Sequence, residues 1–433
     1  MKLRIGVMLM LTSSLAMGQG KGGLLPLNEC ITIAVKQSPQ ARAYTAERDA
    51  ALIGAESDKP IALPKVDLVA SGGIQGPGSK LDVPGMTENV TVPQTSGRVG
   101  IRLDQPLYRA GLSAARSRYL AIRNAANAKW REQMSSFALS VAEAYDSVIK
   151  AQWGISQARR GVSESQQFQQ VVRQQIGAGF GKPVDIGDAN DAIAQAQAGL
   201  KRAQDGLLLA RYNLNNLMGR AFATPVHCEI NENPPVIFGT TDQCVKIALN
   251  RRPELALIRA HMQEAAAGRT LAADQSMPQL SLRAEAAEQT PTALQREHYA
   301  AVMIHFKWPL LDRGQSRRDS EAAQEQIVRL QSLLTTAING ITLDVLHRKL
   351  QLEEAEADLH TALVSRDSAI AQERVAMVSY QVGKGSAMDL QRALHALWVS
   401  REAVDTARVS ILDAAANLRH AMGQDLPDRE AAQ

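Results

Sequence analysis

The chain has 433 residues, of which 45% are hydrophobic, 21% charged and only 4% aromatic. This length is ample for a large fold, but there are few of the large residues that usually fill globular cores. The formal net charge of +4 is spread over both halves. Without a basic patch, the sequence argues against nucleic acid as a partner.

The first residues have the pattern of an export signal. Lys2 and Arg4 precede a short apolar run, and small residues after that run offer a cleavage site. We therefore predict a signal peptide over residues 1–18, with the mature chain beginning near Gln19. The apolar run is shorter than the roughly 18 residues that a membrane-spanning helix needs, and no later window reaches that length. Any membrane crossing by this chain must therefore use strands.

The chain contains an internal repeat, which is the most informative feature of the sequence. The segment 27–39 ends in Ser-Pro and recurs as 241–253, which ends in Arg-Pro. Later motifs recur in the same order, namely Pro64 to Leu68 at Pro278 to Leu282, Gln105 to Gly111 at Trp308 to Gly314, Gly179 to Asp185 at Gly383 to Asp389, and Met218-Gly219 at Met422-Gly423. We predict a first repeat over 19–219, a linker over 220–240, a second repeat over 241–423 and a C-terminal tail over 424–433.

Each repeat has two strand-like stretches of about ten residues, which is the length of a tilted transmembrane strand. Apolar and polar positions alternate in them, the apolar positions being Val66, Leu68, Ala70, Val99, Ile101, Leu103, Leu280, Leu282, Val302, Ile304, Phe306 and Trp308. The connection 72–97 in the first repeat is rich in Gly, Pro and Thr. These stretches predict two hairpins. Alternation alone leaves open a second interpretation, four strands of a small soluble sheet.

The remaining sequence predicts long helices packed as coiled coils. Apolar residues recur every seven positions, at Ile186, Ile193, Leu200, Leu207 and Leu214 and again at Leu390, Leu397, Val404, Ile411 and Leu418. Helices over 111–176 and 317–382 would each be on the order of 100 Å long. Shorter helices over 26–57, 185–218, 241–275 and 389–422 could stack end to end beside the long ones.

Four strands per chain cannot close a barrel, and an open sheet edge is not tolerated in a bilayer. Several chains must therefore share one barrel. Two chains would supply about eight strands and three about twelve, and both numbers occur in outer-membrane barrels. The physical chemistry of the sequence does not choose between them.

Taken together, the doubled motifs resemble the TolC-type outer-membrane factor family over nearly the whole mature chain. The resemblance implies a mostly α fold with a small transmembrane β part, in which long coiled-coil helices form an α-barrel and four strands per protomer join a shared 12-strand trimeric β-barrel. It implies a homotrimer set in outer-membrane lipid and extending into the periplasm of a Gram-negative bacterium. It also implies that the linker and the tail form a belt around the helical barrel.

In functional terms, the resemblance implies a passive exit duct of a tripartite efflux or type I secretion system, and not an enzyme. Its partners would be a periplasmic adaptor (membrane fusion) protein and an inner-membrane transporter, with no nucleic acid and no cofactor. The alternative is a soluble periplasmic coiled-coil adaptor or scaffold protein, which would explain the helices and the export signal but not the two proline-bounded hairpins.

The candidate functional residues lie at the two turns between paired helices. Glycines there allow the chain to reverse, namely Gly177, Gly179, Gly181, Gly383 and Gly385. Asp185 and Asp389 follow the turns, where a first-turn acid stabilises a helix N-terminus. The resemblance adds a periplasmic gate, with Tyr380 and Asp389 at matching positions. Arg392 is three residues from Asp389, within reach of an ion pair.

Other chemistry finds little support in the sequence. None of the eight histidines has a metal-ligand spacing such as His-Glu-x-x-His. The run from Gly177 to Lys182 resembles a phosphate-binding loop but is one residue short, and Pro183 replaces the Ser or Thr. Three cysteines form no framework. The sequence does not decide whether Cys228 and Cys244 form a disulfide. For Cys30 and Cys244, the simpler interpretation is that they are small residues packed between helices.

Overall fold

The computed structural model describes residues 24–57, 59, 63–74, 80–81, 90–91, 95–229, 239–290 and 297–424. The predicted signal peptide over 1–18 lies outside these residues, as do most of the connection 72–97, part of the linker 220–240 and nearly all of the tail 424–433. Within the described residues, no helix is both long enough and apolar enough to cross a membrane.

The two repeats contain the same series of elements. The first consists of α1 (Leu27–Gln37), α2 (Pro39–Ser57), β1 (Lys65–Ile74), β2 (Lys80–Leu81), β3 (Val90–Thr91), β4 (Thr95–Arg109), α3 (Leu112–Gly177) and α4 (Asp185–Leu217). The second consists of α5 (Thr241–Arg251), α6 (Pro253–Asp274), β5 (Gln279–Gln289), β6 (His298–Lys307), α7 (Gln315–Gln381) and α8 (Ala387–Ala421). The small β2–β3 hairpin lies in the connection 72–97 and was not predicted.

The helix lengths agree with the prediction, with one correction. Helices α3 and α7 have 66 and 67 residues, which corresponds to about 100 Å each. The prediction of single helices over 26–57 and 241–275 is wrong, because each is split in two. Ser38 and Arg252 adopt extended ψ values of 135° and 122° at the breaks. Each precedes a proline, whose ring disfavours helical backbone at the preceding residue.

The four long strands form one antiparallel sheet in the order β1-β4-β5-β6. Three of them have the predicted length of about ten residues. Strand β4 is longer, with 15 residues, and its pairing with β5 shifts register between Pro106 and Tyr108. Proline has no backbone N–H to donate, and a bulge accommodates it at this position.

The helices lie side by side in the same lateral order as the strands. Near the sheet, the neighbours run α2, α3, α6, α7, and in the far half they run α4, α3, α8, α7. One lateral edge of the protomer therefore consists of β1, α2 and α4, and the other consists of β6 and α7. Elements of the two repeats meet in the middle, where α3 contacts both α6 and α8.

Three apolar clusters hold the helices together. The first joins α1, α3 and α4, and the second joins α5, α7 and α8. The third lies where α3 and α7 end and α4 and α8 begin. All five heptad residues of α8 are buried, whereas Ile186, Ile193 and Leu200 of α4 are only half-buried. The apolar seam of α4 is therefore less completely covered within one protomer than that of α8.

All three cysteines are buried as free thiols. Cys30 and Cys228 pack in the first cluster, whereas Cys244 packs in the second. The open alternative of a bond between Cys228 and Cys244 therefore does not occur in this structure. Burial raises the pKa of the Cys30 thiol to about 11 and that of Cys228 to about 12. Both thiols are thus protonated packing residues at neutral pH.

Candidate functional site

The turns between α3 and α4 and between α7 and α8 have the same backbone geometry. Gly179 and Gly383 have φ values of +80° and +72°, a left-handed conformation that glycine adopts without steric cost. In the first turn, the N–H groups of Phe180 and Gly181 donate to Gln175 O, each at 2.9 Å. In the second, those of Lys384 and Gly385 donate to Ser379 O, also at 2.9 Å. The sequence repeat is thus reproduced at the level of single hydrogen bonds.

Close approach of the chain explains a second glycine in each turn. A Cβ on Gly181 would stand 2.8 Å from the backbone nitrogen of Ile176, and one on Gly385 would stand 3.1 Å from that of Tyr380. Gly177 differs, because a Cβ there would meet nothing within 4 Å. The space around Gly177 would therefore accommodate a side chain, and sterics do not require glycine there.

The two turns lie beside each other at one end of the protomer, which we call the tip. Gln175 Nε2 donates a hydrogen bond of 2.9 Å to Gln381 O. The ring of Phe180 approaches to 3.9 Å from where a Cβ on Gly383 would stand. The structure therefore brings the predicted tip residues of both repeats together.

Asp185 and Asp389 lie in the first turns of α4 and α8. Ser386 is the N-cap of α8, and its Oγ accepts from the Asp389 N–H at 3.1 Å and donates to Asp389 Oδ2 at 2.6 Å. These hydrogen bonds lower the pKa of Asp389. Arg392 Nη1 lies 3.4 Å from Asp389 Oδ1, so the predicted ion pair is present. Asp185 Oδ2 accepts from the Lys182 N–H at 3.1 Å.

Tyr380 has a different environment from the acids. Its side chain packs in the third cluster against Phe168, Val172 and Leu390, and the residue is only 4% exposed. Its hydroxyl is buried and has no hydrogen-bond partner among the described residues. Burial raises the pKa of Tyr380, and the nearby carboxylate of Asp185 raises it further. An unpaired buried hydroxyl is energetically costly.

The tip also presents an apolar surface that the sequence analysis missed. Phe180 is 77% exposed, and Val184, Val382 and Met388 are exposed beside the two turns. We call these four residues the tip patch. Each lies in or next to a turn, so helix periodicity gave no signal for them. Contiguous exposed apolar residues of this kind mark interaction surfaces.

At the other end of the protomer, the sheet has two chemically distinct faces. One face is apolar and exposed, with Val66, Leu68, Val99, Ile101, Val302, Ile304 and Phe306. The other carries ion pairs, since Glu285 lies 2.5 Å from Arg98 and 3.6 Å from Arg102, and Arg283 lies 2.6 Å from Asp104. Successive side chains along each strand point to opposite faces of the sheet, which separates the apolar residues from the charged ones. Sequence analysis identified the apolar face but missed the charged one.

Among the described residues, neither edge strand of the four-stranded sheet has an outer partner. Strands β1 and β6 end the sheet, leaving backbone donors and acceptors open to another strand. Helix α7 carries a second heptad row of exposed apolar residues, namely Leu343, Leu350, Val364 and Val378. This row, which we call the α7 stripe, is distinct from the buried residues that pack α7 against α8.

A sheet with one apolar and one charged face, continuous with helices about 100 Å long, defines the class of outer-membrane channel proteins. The chain belongs to the outer membrane efflux protein family, which matches residues 30–220 and 244–424. This confirms the resemblance to TolC-type channels. The protein is accordingly located in the outer membrane and extends into the periplasm, which decides against a soluble adaptor or scaffold.

Solved structures of outer-membrane channels share the fold. VceC of Vibrio cholerae superposes with a TM-score of 0.74 at 16% identity, covering 92% of this chain and 96% of that one. CmeC of Campylobacter jejuni gives 0.73 at 14%, covering 94% and 88%. The open state of MtrE of Neisseria gonorrhoeae gives 0.72 at 18%, covering 92% and 89%. A sequence comparison with curated proteins finds no match.

Proposed function

We propose that three copies of this chain close into a ring that forms a passive exit duct through the outer membrane and periplasm. The main support for the proposal is that both lateral edges of the protomer are open to another copy. The β1, α2, α4 edge of one copy meets the β6, α7 edge of the next, so the contact is heterologous and generates a closed ring. Three sheets of four strands then supply a 12-strand barrel without open edges.

The two sheet faces suit the two sides of such a barrel. The apolar face meets outer-membrane lipid, and the face with Arg98, Arg102 and Glu285 lines a wet lumen. A wide water-filled duct needs no reacting groups, and we assign no catalysis and no cofactor to this chain. The driving energy comes from an inner-membrane transporter, joined through a periplasmic adaptor protein in a tripartite efflux or type I secretion assembly.

The tip is the entrance of the proposed duct. The tip patch supplies an apolar surface on which the adaptor docks, and Phe180 is its largest exposed side chain. Tyr380, Asp185, Asp389 and Arg392 are the gate candidates. Tyr380 supports this assignment because it is buried where the four helices meet at the tip, so any change in the packing of these helices alters its surroundings. Asp389 and Arg392 are exposed and can contact a neighbour while they remain paired with each other.

The experiment that tests the duct combines mass and conductance. The full-length protein is purified from membranes in detergent, its mass is measured by light scattering with the detergent subtracted, and it is then inserted into planar lipid bilayers. We expect about three chain masses and discrete conductance steps. A monomeric protein that inserts without conducting would refute the shared barrel.

A further inference from the structure

Helix α8 is held by two different kinds of contact. Its heptad residues Ile411 and Leu418 pack on α7 through the apolar second cluster. Toward α3 it makes a series of polar contacts, which we call the α3–α8 seam. The pairs are Gln157 with Asp405 at 2.9 Å, Glu164 with Arg401, Trp153 with the guanidinium of Arg408, and Ser135 with His420 at 3.3 Å. The seam therefore depends on charge and hydrogen bonding as well as on apolar area.

Two carboxyl groups meet in this seam. The antiparallel register of the seam, set by the contacts of Trp153 with Arg408 and of Ser135 with His420, places Asp146 of α3 opposite Asp413 of α8. Hydrogen bonding with Asp413 is one cause of the raised pKa of Asp146. Asp146 is only 4% exposed, and Val409 and Leu412 of α8 pack into the apolar cluster that surrounds it on α3. Two carboxylates in contact with little solvent repel each other strongly, so they do not both ionise at the usual pH.

Several other charged or titratable groups face the pair. Arg419 of α8 lowers the pKa of Asp146, and Lys150 of α3 lowers that of Asp413. Glu143 of α3 raises both, and the Cys228 thiol of the linker lies close to Asp146. Burial is the largest cause and outweighs the cations, raising the pKa of Asp146 to about 8 with a further contribution from Asp413.

We infer that Asp146 and Asp413 share one proton and so form a buried proton-binding site that fastens α8 to α3. In the protonated site one carboxyl donates a hydrogen bond to the other across the seam. When the proton leaves, two negative charges face each other there, and the seam weakens. The α7–α8 pair is then held to α3 by the remaining polar contacts. This site operates in a single protomer and does not depend on the duct.

The direction of the pH effect follows from the raised pKa of Asp146. In the unfolded chain this carboxyl releases its proton near its ordinary pKa of about 4. In the folded chain it keeps the proton until about pH 8. The contribution of Asp146 to the free energy of unfolding is therefore most favourable below about pH 4. It falls as pH rises from about 4 to about 8 and is constant at higher pH.

The first measurement is infrared spectroscopy of the full-length protein in detergent, with aspartate carboxyl carbons isotopically labelled. We expect a band from a protonated aspartic acid at pH 6 that disappears by pH 9 and is missing at pH 6 in Asp146→Asn. Absence of the band from the wild-type protein at pH 6 would overturn the inference, and this outcome requires no variant to fold.

The second measurement is the thermal midpoint at pH 6 and pH 9. The wild-type midpoint is expected to fall by roughly 3 °C from this site. Asp146→Asn keeps the shape of the side chain but cannot ionise, so its fall is smaller, and Asp413→Asn serves as a second variant. The matched control is Asp405→Asn, which lies in the same seam and retains an oxygen for the Gln157 hydrogen bond. Equal falls in Asp146→Asn, Asp413→Asn and Asp405→Asn would refute a shared proton.

Discussion

The α7 stripe permits a direct test of ring closure. Leu350 is 57% exposed in the protomer, and fully burying a leucine is worth about 1.5 to 3 kcal/mol. Covering the exposed fraction therefore contributes about 1 to 1.5 kcal/mol per interface, or at least about 3 kcal/mol over three interfaces. Leu350→Glu removes this contribution and buries an uncompensated carboxylate, at an additional cost of several kcal/mol. We expect the trimer to dissociate.

The assay is light scattering in detergent, with circular dichroism to verify that the helices remain. Leu120→Glu is the matched control. Leu120 is 47% exposed, but it lies on α3, whose neighbours α2 and α6 belong to the same protomer. The control is expected to remain trimeric. If Leu350→Glu forms trimers as stable as those of Leu120→Glu, the α7 stripe is not an interface and the proposed edge-to-edge ring is wrong.

Three further predictions concern packing and the tip. Leu418→Ala empties a fully buried position of the second cluster, and a loss of about 2 to 5 kcal/mol is expected in denaturant unfolding, with Leu208→Ala, at an exposed site, as control. Gly383→Ala places an L residue at φ +72°, so thermal stability should fall, whereas Gly177→Ala should leave it unchanged or raise it. Asp389→Ala should raise single-channel conductance if Asp389 holds the entrance shut. An unchanged conductance would mean that Asp389 only stabilises the N-terminus of α8.

Most of the fold was readable from the sequence because repetition and periodicity are properties of the chain itself. The helix bounds of α3 and α7 follow from heptads held over many turns, and the tip follows from paired glycines at equivalent positions. The breaks at Pro39 and Pro253 were missed because 26–57 and 241–275 were each interpreted as one continuous helix. The rule for residues before proline would have placed both breaks.

The features that escaped sequence analysis depend on contacts between distant residues. Asp146 and Asp413 lie in opposite repeats, and neither occupies a recognisable motif. Their meeting requires the antiparallel register of α3 and α8, which the pattern of one helix does not specify. The charged sheet face was missed for a related reason. Arg98 and Glu285 each read as solvent-exposed residues on alternating strands, and only the pairing of β4 with β5 brings them together.

That charged face gives a final prediction, on ion selectivity. The Glu285 side chain is 7% exposed and pairs with both Arg98 and Arg102, so its single negative charge offsets one of their two positive charges. Glu285→Ala removes the carboxylate partner of both arginines in each protomer. In the proposed ring, the net charge of the lumen would become more positive by three, one for each protomer, so the reversal potential in a KCl gradient should shift toward anion preference. Glu288→Ala, on the opposite and exposed face, should leave selectivity unchanged. An unaltered reversal potential in Glu285→Ala channels would place this face away from the conducting path.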